Sequence, residues 1–386
     1  MEQSVKDILA DDFWIMPATP EYIDKGVPYI TSKNIKNGTI DFSKVNYISQ
    51  EDYEYISKNR PILVGDILIS MIGTLGETAE VKETDGLFYG QNMFLVRIDE
   101  SKVNKRYFLN FFKSNCVKRA LKGKQNQSTQ KYLKANHIED LIIPVPDVTK
   151  QELIAKQLDK LTYIITLRTN ELKQLDDLIK ARFVEMFGDP IQNPKGWEVV
   201  TIGDIVTEVR YGTSKPAVEG GKYPYLRMNN LTADGHLDLN DLKYIDIPDD
   251  EIEKCVVRKG DVLFNRTNSI ELVGKTAVFD LPEDMIIAGY IIRVRLTEKM
   301  LPEVLSQYMN LEALKGILRG MAKGAVNQAN INAQELQSIK VYIPEMELQK
   351  QFVKMKEQIY KSKVAVQKAL DETQMLFDSL MQEYFN

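Results

Sequence analysis

The chain repeats itself once over almost its whole length, so whatever fold its first half adopts has to be built twice. Val27-Pro28-Tyr29-Ile30-Thr31-Ser32-Lys33-Asn34-Ile35 returns as Tyr223-Pro224-Tyr225-Leu226-Arg227-Met228-Asn229-Asn230-Leu231. Val64-Gly65-Asp66-Ile67-Leu68 returns as Lys259-Gly260-Asp261-Val262-Leu263, and Gly76-Glu77-Thr78-Ala79 as Gly274-Lys275-Thr276-Ala277. Further on, Arg97 pairs with Arg295, Gln130 with Gln328, Pro146 with Pro344 and Gln151 with Gln349. Matches that keep their order with so few gaps exclude chance similarity.

Each half divides again. Short β-branched and aromatic runs such as Asp66–Met71, Phe94–Ile98, Asp261–Phe264 and Ile291–Leu296 are separated by Gly-Asp and Asn-Gly turn signals. Amphipathic stretches near 104–123 and 302–320 read as helices, which makes each globular part an α+β unit. The connectors differ: Lys150–Phe187 and Glu347–Phe385 contain neither Gly nor Pro. Their apolar residues, Ile154, Leu158, Leu161, Ile165, Leu172, Leu175, Ile179 and Met186 in one and Phe352, Met355, Ile359, Val366, Leu370, Phe377, Leu380 and Tyr384 in the other, keep coiled-coil spacing. Neither stripe can be buried alone, so the expectation is an antiparallel intramolecular pair related by a pseudo-two-fold, with Leu172 and Leu370 buried. The expected boundaries are a globular domain over 1–148, a spacer helix over 149–190, a second globular domain over 191–346 and a second spacer helix over 347–386.

Composition narrows the function. Two cysteines and two histidines assemble neither a disulfide framework nor a zinc site. There is no apolar run long enough to span a membrane and no secretory signal at the first residues, which points to a cytoplasmic protein. The net charge of −5 is not that of a basic nucleic-acid binder, yet from Lys105 to Lys134 nine Lys and Arg occur without one Asp or Glu. Such a segment can meet phosphates.

Two related readers on a stiff spacer of about 57 Å suit a target in two separated parts, and double-stranded DNA with an unread gap is such a target. The candidate readers are amide, hydroxyl and basic side chains gathered in loops. In the first domain they are Ser32, Lys33 and Asn34, then Lys124, Gln125, Gln127, Ser128, Gln130, Lys131 and Lys134. In the second they are Arg227, Asn229 and Asn230, then Asn265, Arg266, Thr267 and Asn268, and finally Asn327 and Gln328. Asn and Gln match adenine edges, whereas Arg and Lys match guanine.

Gly188-Asp189-Pro190 followed by Asn193-Pro194-Lys195-Gly196-Trp197, then Pro224-Tyr225-Leu226-Arg227, Lys259-Gly260-Asp261-Val262-Leu263 and Asn327-Gln328 ahead of Ile343-Pro344, resemble the specificity subunits of type I restriction-modification systems. The first domain departs from that pattern by lacking the tryptophan that Trp197 supplies to the second. The resemblance implies two target-recognition domains, recognition of a split DNA sequence, two modification subunits that methylate adenine with S-adenosylmethionine, and restriction subunits. It also implies that this chain itself holds no cofactor and catalyses nothing.

Enzymatic readings fare poorly. Asn193-Pro194-Lys195-Gly196 lacks the second proline and the aromatic of an adenine methyltransferase motif. A nuclease built on Asp66, Glu80 and Lys82 is rejected by the repeat, which puts Val278 and Asp280 at the last two positions. The alternative class is a non-catalytic scaffold whose two repeated domains bind only protein, and the acidic net charge favours it mildly.

Overall fold

The computed structural model describes residues 2–16, 20–36, 38–73, 75–123, 132–325 and 328–386. The chain forms two compact units, Met1–Arg168 with Ala369–Asn386, and Thr169–Lys368. Each unit therefore contains a globular half plus stretches of both long helices.

In the first unit, Trp14–Ile15, Met93–Val96, Ile67–Ser70 and Thr78–Glu80 form an antiparallel sheet in that order. A second sheet places Val27–Thr31 between Asn46–Ile48 (antiparallel) and Tyr89–Gln91 (parallel). All four residues of Ile67–Ser70 and of Met93–Val96 are buried, as expected of strands enclosed on both faces. Glu2–Ser4 pairs with Ile142–Pro144, so the start of the chain is built into the unit without the missing tryptophan. Helices Lys105–Lys113 and Asn115–Gly123 contribute Phe108, Phe111, Val117 and Leu121 to a core shared with Leu158, Met381 and Phe385 of the long helices.

The second unit has the same plan. Val206–Tyr211, Ile291–Leu296, Val262–Asn265 and Thr276–Val278 form the antiparallel sheet, and Tyr223–Leu226 lies between Lys243–Ile245 and Met285–Ile287. Glu198–Thr201 pairs with Lys340–Ile343 as Glu2–Ser4 pairs with Ile142–Pro144. Helices Pro302–Asn310 and Glu312–Met321 complete a core that takes in Ile179, Phe183, Phe187 and Phe352.

The repeated residues do repeated work. Asp66 accepts from Arg97 Nε at 2.7 Å and from Leu63 N at 2.8 Å; Asp261 accepts from Arg295 Nε and Arg258 N, both at 2.9 Å. Gly65 and Gly260 precede these aspartates at φ +92° and +94°, a conformation that side chains resist. Gln151 and Gln349, both fully buried, anchor the long helices: Gln151 accepts from Asn104 N and donates to Lys102 O and Pro146 O. Gln349 does the same with Leu301 N, Lys299 O and Pro344 O.

The long helices run Val148–Phe187 and Met346–Phe385. In the first unit Tyr384 Oη donates to Gln157 Oε1 at 3.0 Å, and Arg168 reaches Ala369 O and Thr373 Oγ1. In the second unit Lys363 pairs with Asp176, and Phe183 and Phe187 pack edgewise on Phe352. Residue numbers rise along one helix as those of its partners fall along the other, so the helices are antiparallel within each unit. The depth of burial differs from expectation. Leu172 and Leu370 are only half-buried, and between Leu158 and Ile179 no residue is fully buried. A pair of helices covers one side of each seam residue, whereas sheets and helices enclose the ends. Phe183 and Phe187 rather than Met186 are the buried residues where the first helix enters the second core.

The Gly188–Trp197 motif terminates that first helix. Trp197 Nε1 donates to Phe187 O at 2.8 Å, Tyr342 Oη to Gly188 O at 2.9 Å, and Asn193 exchanges hydrogen bonds with the Trp197 backbone. Carbonyls that would otherwise lack partners at a helix end are thereby satisfied.

Candidate nucleic-acid interface

In the second unit, strand Tyr223–Leu226 runs into a 3₁₀ turn at Met228–Asn230. Asn230 is 2% exposed; its Oδ1 accepts from Arg227 N and its Nδ2 donates to Asp238 O, each at 2.8 Å. Asn34 repeats this in the first unit with Thr31 N, Asp41 O and Lys44 O. Both amides shape their turns and have no edge left to present. Ser32 is likewise engaged with Asn92 O. The outward positions of the two turns are Lys33 and Asn229, which are exposed.

A second group sits at the end of Val262–Asn265. Asn265 is fully buried, donating to Thr267 O and Tyr290 O and accepting from Asn268 Nδ2. Thr267 bonds Asn330. Thr267–Asn268 also pairs with Gln328–Asn330, which in turn pairs with Lys323–Ala325. The polar segments around Arg266 and Gln328, distant in sequence, thus lie in one small sheet. Asn327 lies outside the described residues. Arg266 and Asn229 also line a cleft of about 580 Å³ together with Arg227, Lys215, Tyr225 and Tyr290. Arg227 is held there by Asp241 at 2.7 Å.

Sequence reasoning missed Lys215 and Tyr290. No periodicity marks them; the only signal is that Tyr290 occupies the repeat position of Asn92, a non-glycine residue at φ +60° whose carbonyl meets Ser32. Also missed was Lys275, the repeat partner of Glu77. Burial lowers its pKa, and its ammonium donates to Met228 O at 2.9 Å and to Leu231 O, which braces the 3₁₀ turn from below.

In the first unit, Lys124, Gln125, Gln127, Ser128, Gln130 and Lys131 lie outside the described residues. The segment that follows them is attached as in the second unit: Leu133 N donates to Met71 O at 2.9 Å, as Ile331 N does to Arg266 O. Lys134 is exposed at the start of helix Ala135–Glu139. The acid-free segment is not uniformly available. Lys105 pairs with Glu80 and Glu100, and Arg106 with Asp159. Lys113, Lys118, Arg119 and Lys122 are exposed and make no ion pair among the described residues. Lys118 and Lys122 line two clefts of about 360 and 340 Å³ on the same helix.

The carboxylates of the nuclease-like set are engaged in ion pairs. Asp66 is committed to Arg97, and Glu80 to Lys105. Among the described residues no group of three or more His, Cys, Asp or Glu could hold a metal ion, and no helix is long and apolar enough to cross a membrane.

The type I restriction modification DNA specificity domain matches this chain twice, over residues 15–177 and 194–373. The chain belongs to that family. It is 22% identical over 379 residues to the type I restriction enzyme EcoKI specificity subunit of Escherichia coli K12, covering 93% of this chain and 81% of that one. It is 26% identical over 354 residues to the putative MjaX specificity subunit of Methanocaldococcus jannaschii, covering 85% and 79%. Among solved structures, a chain from a study of type I restriction-modification complex assembly superposes with a TM-score of 0.59 at 18% identity, covering 100% of this chain and 97% of that one. The S subunit from M. genitalium gives 0.58 at 12% identity, covering 100% and 96%. These two likenesses establish the fold: paired α+β units with long helices.

Proposed function

We propose that this chain is the DNA-specificity subunit of a cytoplasmic type I restriction-modification assembly. It reads a bipartite duplex sequence, one part with each globular unit, and catalyses nothing itself. Two modification subunits, which carry S-adenosylmethionine and methylate adenine, dock on it, and restriction subunits complete the cleaving complex. The observation that carries this reading is that, in the second unit, Arg227–Asn229 and Arg266 line one cleft while the adjoining Thr267–Asn268 pairs with the strand beginning at Gln328, so three polar segments distant in sequence are joined. The exposed Lys113, Lys118, Arg119 and Lys122 of the first unit, without ion pairs among the described residues, supply what a phosphate backbone requires. Base contacts then choose the sequence while lysines hold the register. Asn34, Asn230, Asn265 and Asn268 build the loops, and Lys33, Asn229 and Arg266 are the residues left to face a groove. The test is co-expression with the cognate modification subunit followed by mapping of methylated adenines across a genome. A split motif is expected; methylation without one, or none at all, would remove the reading.

A further inference from the structure

Arg266 stands apart from every other arginine of its unit. Arg182, Arg210, Arg227, Arg258, Arg293, Arg295 and Arg319 each pair with a carboxylate. Arg266 makes no ion pair among the described residues, although the protein carries more acids than bases. Its guanidinium lies over the Tyr211 ring, 4.8 Å from the centroid, and Nη1 reaches Gly289 O at 3.4 Å. Nε is buried without a partner. The platform is fixed in its turn, because Tyr211 Oη accepts from Ala333 N at 2.8 Å. The backbone is pinned on both sides, Arg266 N donating to Tyr290 O and Arg266 O accepting from Ile331 N.

We infer that Arg266 reads a guanine in the half-site of the second unit, an assignment that rests on the DNA-recognition reading above. A guanidinium offers only donors, set in a planar fork. Guanine presents two acceptors, O6 and N7, on its major-groove edge; adenine pairs an acceptor with a donor, cytosine presents a donor, and thymine a single acceptor. A phosphate contact needs no fixed plane and is served by a mobile side chain on a ridge. Arg266 instead is held over the Tyr211 ring by its Gly289 O contact and also lines a cleft, with Tyr290, Arg227 and Asn229 around the same opening.

The duplicated fold isolates the chemistry of this position. Tyr211 stands opposite Ile292 in its sheet as Ile15 stands opposite Phe94, the repeat partner of Ile292. Arg266 follows Val262–Asn265 as Met71 follows Ile67–Ser70, and their carbonyls meet Ile331 N and Leu133 N at the same distance. One backbone frame therefore carries a cation on an aromatic in the second unit, and methionine with isoleucine in the first. The guanine requirement set by this position belongs to one half-site only.

The experiment has two arms on the full chain in complex with its modification subunits. In the first, methylated adenines are mapped for the wild type, Arg266→Ala and Arg266→Lys. The wild-type motif is expected to hold a guanine in one half that Arg266→Ala relaxes by roughly tenfold to a hundredfold, with Arg266→Lys intermediate and the other half unchanged. In the second, wild-type complex binds duplexes in which that guanine is replaced by 7-deazaguanine, which lacks the N7 acceptor, so that a folding defect in a variant cannot decide the outcome. A comparable loss is expected. Several results overturn the assignment: a split motif without such a guanine, indifference to 7-deazaguanine, or an Arg266→Ala loss that is uniform across sequences and lowers the salt slope, which would mark a phosphate contact. Absence of any split motif for the wild type would instead remove the DNA-recognition reading itself.

Discussion

Replacing Gln349 by Leu tests whether the repeated glutamines hold the long helices onto their globular units. Gln349 is fully buried and joins three pieces of backbone: Leu301 N at 2.8 Å, just ahead of helix Pro302–Asn310, Lys299 O at 3.0 Å, and Pro344 O at 2.8 Å. Leucine is close to glutamine in volume, so little cavity opens. The cost comes from one donor and two acceptors left buried without partners, each about 1–2 kcal/mol, or roughly 3–6 kcal/mol in all. Burying leucine instead of an amide returns about 1–2 kcal/mol, leaving a net destabilisation of about 2–4 kcal/mol.

The expected outcome is local. Hydrogen exchange read by mass spectrometry across a urea series should show Gln349→Leu exposing peptides over 299–310 and the first turns of Met346–Phe385. Gln151→Leu should do the same to 102–113 and the first turns of Val148–Phe187, because Gln151 bonds the corresponding groups. Gln349→Glu should be worse at neutral pH, since a carboxylate keeps the acceptor but faces two carbonyls with no donor, and should improve as acid restores an O–H. A loss under about 1 kcal/mol for Gln349→Leu, or equal exposure of both units by either variant, would refute the anchoring role.

Three further outcomes are expected. Burial lowers the Lys315 pKa to about 8 from its ordinary 10.5, so between those values the unfolded chain binds more protons and stability rises with pH, while below pH 8 the full penalty is present. Lys315→Met should therefore stabilise the protein at pH 7 by about 1–2 kcal/mol after the bond to Gly274 O is deducted, read as a higher melting temperature, and flatten the rise between pH 8 and 10; unchanged melts across that range would contradict it. Lys118→Ala with Lys122→Ala should reduce the slope of log affinity against log salt by up to about 0.9 for each phosphate no longer neutralised and leave the methylation motif unaltered, which binding titrations at several salt concentrations would check. Asp66→Asn should destabilise the first unit by about 1–3 kcal/mol, measured by urea unfolding, yet leave DNA modification by the folded complex intact, because Asp66 serves Arg97 and a turn rather than a metal.

The duplication was visible in the sequence because both units place identical demands on certain positions. The Gly-Asp turn needs a positive φ and a carboxylate for Arg97 or Arg295, and the helix anchors need a side chain that both donates and accepts. The antiparallel helix pair was readable from its apolar spacing, but not the depth of its seam, because nothing local in Leu172 or Leu370 says whether sheets also cover it. Composition misleads most at the amides. Asn34, Asn230 and Asn265 look in sequence like base readers, whereas in the fold their amides are engaged by backbone and, for Asn265, also by the Asn268 side chain. The type of residue gives the capacity for hydrogen bonding, and only the fold gives its direction. Arg266 was legible as a candidate, but its partner Tyr211 lies in a strand far away in sequence, so the feature that orients it had no local signature.

A duplicated reader also separates two kinds of position that a single domain would leave mixed. Positions identical in both units, such as Asp66 and Asp261, Asn34 and Asn230, and Gln151 and Gln349, are buried and bonded to backbone or to a partner charge. Equivalent positions that differ, Lys33 against Asn229 and Met71 against Arg266, lie on the turn or strand end that the shared residues hold in place. Changing the second kind alters the chemistry offered to a groove while the hydrogen bonds made by the shared residues stay in place. Effects of such changes should then stay within the half-site of the unit that carries them, since residues that share no partner combine additively. Lys275 marks where this separation fails: it replaces Glu77, yet its ammonium braces the turn that presents Asn229. Grafting the reading residues of the second unit onto the first thus requires the lysine as well, and a graft without it should leave the 3₁₀ turn intact through Asn34 but unsupported beneath.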